Sequence, residues 1–331
     1  MNQVKIGLIG LGRWGNLQLC ALSTLPYVKV VAVSSRSEER CKEICNRYGI
    51  GKYYLNFKDL TNDSEIQAVI VSTEGERHFE PALAALDAEK DVLVEKPLAL
   101  TLEGIDKVIE QARKKKVIFM VGHILRFDLR YVMLKERIKR GELGQVVSIY
   151  SRRNVWRGLF DAHAKYTPML ETGVHEIDLA RWYMEDEVKK VYAKKANILN
   201  PEIPDTYWVI LTFAKGGISV IETSWLLPSA TPNEMDATVE VVGSKGVAFI
   251  HSPSNTISIY TQNKTEFPDV FGWPIVDEYV EGAIKRKLDY FARCVLNKTP
   301  QTKVLFEDAR ESVRIALAAI KSAREDREII L

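Results

Sequence analysis

A two-part chain is expected. The first part is an α/β domain with a doubly wound parallel sheet, and the second an α+β domain built on a large, mostly antiparallel, open-faced sheet. Three observations predict this. Over residues 1–121, short and wholly apolar runs alternate with amphipathic helical patterns, as in a parallel sheet covered on both faces. From 122 to 331, the apolar segments lengthen, alternate partly in polarity and are rich in Val, Ile, Thr and aromatics, as in a sheet with one covered face. A chain of 331 residues, 46% apolar and 27% charged, is of ordinary globular composition and exceeds the usual range of one core.

The first run, Val4 to Ile9, leads into Gly10-Leu11-Gly12-Arg13-Trp14-Gly15 and then the helix-compatible stretch Asn16 to Ser23. Strand, glycine turn and helix in this order form a dinucleotide site. Gly10 allows the tight turn, Gly12 the approach of backbone to pyrophosphate, and Gly15 close packing of helix on strand; Arg13 and Trp14 lie within the same turn. The next strand, Val28 to Val33, ends at Ser34-Ser35-Arg36-Ser37, about 20 residues past the third glycine, where an NAD site commonly carries an acid for the ribose hydroxyls. No acid stands there. Hydroxyls and a guanidinium suit a 2′-phosphate, so Ser35 and Arg36 favour NADP over NAD; the alternative is that Arg36 only stacks on adenine. Glu38 and Glu39 open the following helix, with Ser37 as its cap.

Strands at Ala68–Val71, Asp91–Val94 and Val117–Val121 alternate with helices at His78–Ala88 and Leu102–Lys115. Ligands of such sheets gather at the C-terminal ends of the strands, where Ser72-Thr73-Glu74 and Glu95-Lys96-Pro97 fall. Lys96 thus puts an amine where the chemistry would be; the alternative is a surface salt bridge to Glu95. The bond before Pro97 is one that admits the cis form.

In the second part, strands are expected at Val146–Asn154, Val188–Asn197, Thr206–Phe213, Gly217–Trp225, Thr238–Val242, Val247–His251 and Thr256–Tyr260, with hairpin turns at Ala214–Gly217 and Gly243–Gly246. Helices at Val280–Val295 and Glu307–Ala323 close the chain, the last packing back on the first domain. The densest polar constellation is Glu171-Thr172-Gly173-Val174-His175-Glu176-Ile177-Asp178. If this segment is helical from about residue 172, His175 and Asp178 share a turn and Glu171 lies at its mouth. A His beside a carboxylate can shuttle a proton near neutral pH, and a satisfied core histidine is the alternative. Arg126 can hold substrate hydroxyls or phosphate, or form an interdomain salt bridge. His123 either lines the same cleft or is structural. Asn154, Trp156 and Arg157 can offer polar and stacking contacts to a sugar, a surface loop being the alternative. His163 and His251 receive no role.

A net charge of +2 gives no reason to expect nucleic acid or a membrane as partner, and Lys114-Lys115-Lys116 suits a helix C-terminus. The N-terminus enters a strand within four residues and no apolar run approaches 18 residues, so a cytoplasmic location is expected. Of the four cysteines, Cys41 and Cys45 lie one helical turn apart without a neighbouring His, and Cys20 and Cys294 sit in apolar helical patterns, so buried thiols and no metal are expected. The open sheet face needs a cover, which predicts a homodimer or homotetramer.

The chain resembles the glucose-fructose oxidoreductase/inositol dehydrogenase (Gfo/Idh/MocA) family. The matching stretches are Gly10 to Gly15, Ser72-Thr73 with His78, Glu95 to Thr101, Gly122 to Phe127, Gly173 to Asp178 and Gly243 to Gly246, in the family's order. The resemblance implies an NAD(P)-binding Rossmann domain over residues 1–121, a substrate and oligomerisation domain over 122–331, and an active site between them. Ser72, Thr73, His78, Glu95, Lys96 and Pro97 would then line the cofactor site. Lys96 would meet the substrate hydroxyl, His175 act as acid/base, and Glu171 orient substrate or His175. Glu171 stands where the family most often has Asp, and Lys165-Tyr166-Thr167-Pro168 replaces a glycine-rich approach, so a pocket of different shape is expected. The implied activity is hydride transfer between nicotinamide and a secondary alcohol or ketone of a sugar, polyol or nucleotide-sugar. A non-catalytic dinucleotide-binding regulator and an NAD-dependent glycosidase of the same fold are the alternatives.

Overall fold

The apolar runs of the first part form a six-stranded parallel sheet: β1 (Val4–Ile9), β2 (Val28–Ser34), β3 (Lys52–Tyr54), β4 (Ala68–Val71), β5 (Asp91–Val94) and β6 (Phe119–Val121), in the order β3-β2-β1-β4-β5-β6. Their continuous apolarity has a physical cause: helices cover both faces, and Val69, Ile70, Val92 and Leu93 are fully buried. The helices are α1 (Arg13–Ser23), α2 (Glu38–Tyr48), α3 (Phe57–Thr61), α4 (Phe79–Asp87) and α5 (Leu102–Lys115). Ser37 caps α2 by accepting from the Arg40 amide, and Glu38 and Glu39 occupy its first turn. The chain order reverses between β1 and β4, which makes the crevice at their C-terminal ends the switch point where ligands bind in such sheets.

The structure is a computed structural model that describes residues 3–158, 167–252 and 257–331. Two compact units emerge, Met1–Asp128 with Phe271–Arg310, and Leu129–Val270 with Glu311–Leu331. The first unit is therefore discontinuous in sequence, whereas the sequence reading divided the chain at a single point. The cause is α8 (Gly282–Asn297), whose apolar face, including Ile284, Leu288 and Phe291, is fully buried in that unit. Of α9 (Phe306–Glu325), only the start through Arg310 belongs to the first unit, held by Arg310–Asp106 at 2.6 Å and Arg113–Glu307 at 2.6 Å.

The second unit carries α6 (Leu129–Lys139) and a seven-stranded sheet ordered β12-β11-β7-β10-β9-β8-β17. Its strands are β7 (Val146–Trp156), β8 (Val188–Ala196), β9 (Thr206–Phe213), β10 (Ile218–Leu227), β11 (Met235–Gly243), β12 (Val247–Ser252) and β17 (Ile329–Ile330). All pairings are antiparallel except β7 with β10. Burial alternates residue by residue along β7, so one face is a core and the other open. The segment expected as a strand over Thr256–Tyr260 holds only the two-residue β13 (Ile259–Tyr260), paired with β14 (Thr265–Glu266); residue 256 lies outside the described residues. A second short hairpin joins β15 (Ile275–Val276) to β16 (Tyr279–Val280) in the first unit. Among the described residues, no helix is long and apolar enough to cross a membrane.

Candidate active site

In the first unit the glycine turn follows β1 at the switch point. Gly10 has φ of +100°, and a Cβ there would lie 2.5 Å from the Ser72 carbonyl group at the end of β4. A Cβ on Gly15 would lie 2.0 Å from the Gly10 oxygen, so only glycine lets α1 start this close to β1. Around Gly12 the space is open, with nothing within 4 Å of the Cβ position. This backbone can be approached by a pyrophosphate, and the residues present fit a bound dinucleotide. Trp14 packs edge-on against Trp273 at 5.1 Å, and its indole Nε1, buried, has no hydrogen-bond partner among the described residues.

Arg13 and Arg36 are exposed, and Ser35, Thr73 and Lys96 half-buried. The nearest carboxylate recorded for Arg36 is Glu74 at 3.9 Å, an exposed and weak pair. Ser72, His78, Glu95 and Pro97 are buried. The Ser72 hydroxyl accepts from Gln18 Nε2 at 3.3 Å, and the Thr73 hydroxyl donates to the Arg77 carbonyl at 2.9 Å. His78 is 2% exposed, with Nδ1 2.7 Å from the Pro97 carbonyl oxygen and Nε2 2.9 Å from that of Thr73. Burial pushes its imidazole below the ordinary histidine value, against the opposing pull of the two carbonyls. The Lys96–Pro97 peptide is cis. The buried Glu95 carboxylate pairs with Lys287.

Two sequence expectations for this unit are corrected. Arg126 was a candidate for holding substrate, yet it is 5% exposed, pairs with Asp308 at 3.3 Å and donates to the Lys303 carbonyl at 3.2 Å. Its guanidinium is consumed by ordering the chain after α8. Cys20 is half-exposed rather than buried, because it lies on the flank of α1 where its thiol donates to the Glu278 carbonyl at 3.3 Å.

In the second unit, Glu171 lies in a π-helical turn, Met169–Gly173, that runs directly into α7 (Val174–Met184). At the join, a Cβ on Gly173 would meet the Met169 methyl at 2.1 Å, the movable end of a flexible side chain. Glu171 and His175 are half-buried, and Asp178 is buried at 1% exposure. This segment is fixed to the sheet by two buried contacts. Thr172 Oγ1 lies 2.5 Å from Thr223 Oγ1, and Arg153 Nε donates to Glu176 Oε1 at 2.5 Å with side chains 5% and 0% exposed. Burial raises the Glu176 carboxyl, while the adjoining guanidinium lowers it.

Asn154 was expected to contact substrate, and the structure does not bring it to Glu171 and His175. Alternation along β7 turns Arg153 to the α7 face and Asn154 to the open face, where its amide donates to Glu222 at 2.8 Å beside the Tyr150 hydroxyl. Burial, reinforced by Glu222, pushes that tyrosine up to about 12. Trp156, on the same face, donates to Thr231 at 3.0 Å. His163 and residues 165–166 of the altered approach lie outside the described residues.

Sequence reasoning missed Lys287, Gln18, Trp273 and Arg153. Lys287 did leave a signal: it sits among Ile284, Leu288 and Phe291 on the apolar stripe of its helix, where a solvated lysine does not belong.

A parallel sheet with an open glycine backbone at its switch point defines the first unit as a dinucleotide-binding domain. Comparison with known proteins narrows the class. The profile described as "Oxidoreductase family, NAD-binding Rossmann fold" matches residues 4–123, and the "GFO/IDH/MocA C-terminal domain" matches 131–249. The chain belongs to the Gfo/Idh/MocA family, and so to the NAD-binding oxidoreductases. It is 30% identical to a myo-inositol 2-dehydrogenase of Thermotoga maritima, over 99% of this chain and 98% of the relative. A scyllo-inositol 2-dehydrogenase (NAD(+)) of Bacillus subtilis is 28% identical over 98% and 95% of the two chains. Among solved structures, a probable dehydrogenase from Thermotoga maritima superposes with a TM-score of 0.84 at 27% identity, covering 99% of this chain and 98% of that one.

Proposed function

We propose that this protein is a dehydrogenase that transfers hydride between a nicotinamide dinucleotide and a CH–OH carbon of a polyol or sugar, with inositol-type rings as the first substrates to try. The observation that carries the reading is Lys96 at the C-terminal end of β5, two strands from the glycine turn in the sheet order. The inositol dehydrogenases among its relatives support the substrate class.

When bound, the nicotinamide supplies the hydride acceptor or donor. What remains for the protein is the hydroxyl proton. In the proposed mechanism, the Lys96 ammonium stabilises the alkoxide developing as the carbinol is oxidised, and His175 carries the proton to or from it. Glu171, on the turn leading into α7, orients the imidazole or a ring hydroxyl. NADP(H) is the favoured cofactor. No acid ends β2, Arg36 is exposed, and among the described residues its carboxylate neighbour is the likewise exposed Glu74 at 3.9 Å.

The test is a screen of polyols and sugars at 340 nm with each cofactor. Lys96→Ala should lower kcat by about 100-fold or more, and His175→Ala by about 100-fold, with dinucleotide affinity unchanged within about two-fold. A protein that binds dinucleotide but turns over no carbinol would refute the enzyme reading. In parallel titrations NADPH should bind more tightly than NADH, and Arg36→Ala should remove the difference. A clear preference for NADH overturns the cofactor assignment.

A further inference from the structure

We propose that Lys96 is aimed by two buried anchors, His78 and Lys287, which grip the residues on either side of it and act as positioning residues for the reaction. The inference rests on the reading of Lys96 given above. A lysine ammonium rides on a flexible four-carbon stem and defines a direction poorly, so its backbone has to be fixed if the amine is to meet one oxygen.

On the C-terminal side, His78 lies between two carbonyl oxygens, that of Pro97 2.7 Å from Nδ1 and that of Thr73 2.9 Å from Nε2, and the one N–H of the neutral ring donates to one of them at a time. In the Nδ1–H tautomer, which the shorter contact favours, His78 ties the segment after β4, where it sits, to the turn after β5. On the N-terminal side, the Glu95 carboxylate, 6% exposed, accepts from Lys287 Nζ and from Gln18 Nε2, the latter at 2.9 Å. Gln18 also reaches the Ser72 hydroxyl, which adds the turn after β4 to this side as well. The Lys287 ammonium lies 5.7 Å from the centre of the Trp14 ring, so the same cation adjoins the glycine turn. Room for the carboxylate is reserved at Gly122, where a Cβ would fall 2.6 Å from Glu95 Oε2.

Neither anchor is placed to touch a ligand. Lys287 is 0% exposed and His78 2%, and both ring nitrogens of His78 face protein carbonyls. His78 therefore acts through Lys96 rather than as the cofactor contact the family resemblance implied. What the turns after β1, β4 and β5 share is one buried polar frame around a half-buried amine.

The experiment compares wild type with His78→Phe, His78→Gln and the charge-neutral double variant Lys287→Met/Glu95→Gln, each checked for an intact melting transition. The expected result is a kcat at least ten-fold lower for His78→Phe and for the double variant, dinucleotide Kd within three-fold of wild type, and partial recovery in His78→Gln, whose amide can still donate. In cofactor-free protein, the rate of Lys96 acetylation by acetic anhydride, read by peptide mass spectrometry against exposed Lys107, should change at least three-fold. Unchanged kcat and unchanged Lys96 reactivity in folded His78→Phe overturn the proposal. Lys96→Ala is run alongside: if it retains turnover, the reading of Lys96 as the group that stabilises the developing alkoxide fails, while the acetylation rates still decide separately whether the anchors position this amine.

Discussion

Replacing Arg153 by Met should test how α7 is held on its sheet. The guanidinium Nε lies 2.5 Å from Glu176 Oε1, and the side chains are 5% and 0% exposed. Breaking such a pair from one side leaves a buried carboxylate without its cation, at about 3–5 kcal/mol. The sign of the pH dependence follows. Burial raises the Glu176 carboxyl in the folded state. Without Arg153 the folded protein then binds a proton that the unfolded chain releases above about pH 4.3. The cost of Arg153→Met should therefore be largest at neutral pH and shrink as pH falls toward 5. Glu176→Gln in the same background should flatten this dependence, and Arg153→Met/Glu176→Leu should recover most of the loss, since two apolar groups leave no charge to solvate. Urea unfolding at pH 7.5 and 5.5 gives the measurement, with fully buried Trp225 as a reporter within the same unit. A cost below about 1 kcal/mol, a cost independent of pH, or strict additivity in the double variant would refute the reasoning.

Gly15→Ala should weaken dinucleotide binding by at least about ten-fold, because the new methyl would fall 2.0 Å from the Gly10 oxygen and push α1 off the turn; fluorescence titration with unchanged affinity would contradict this. His78 is lowered by burial, so the unfolded chain takes its proton first and the contribution of the neutral ring, full above about pH 6.5, is lost as pH falls through and below that value. Melting curves should show that slope in wild type and a shallower one in His78→Gln. On the open sheet face, Trp208 and Phe249 are 47% and 57% exposed beside Ile210, Ile218 and Val247, an apolar surface that suits a second copy of this chain. Sedimentation should find a dimer or tetramer at micromolar concentration, and Trp208→Glu/Phe249→Glu should dissociate it; a monomeric wild type would sink the idea.

Much of the fold was legible because burial on two faces writes continuous apolar runs and burial on one face writes alternation. Strands β1, β4, β5 and β9 begin and end where the sequence pattern places them. Lys52–Tyr54, Phe57–Thr61 and the hairpin of Ile275–Val276 with Tyr279–Val280 escaped notice because elements this short complete too few periods to rise above local composition. The glycine turn was equally legible, since each glycine answers a local demand. Arg126 was not: a guanidinium at a strand end reads alike whether it meets a substrate or Asp308, and Asp308 is remote in sequence.

The sequence by itself determined the class of protein, because strand, glycine turn, helix and the Glu-Lys-Pro signature are local patterns that can be read without knowing which distant residues pack against them. Tertiary structure decided which polar groups are available to do chemistry and which are committed to holding it in place. Asn154 went to the open face by strand alternation, and His78 to a buried clamp between two carbonyls. Glu95 found its partner in Lys287, 192 residues along the chain. A buried charge requires a counter-charge, and only the folded chain determines which residue supplies it.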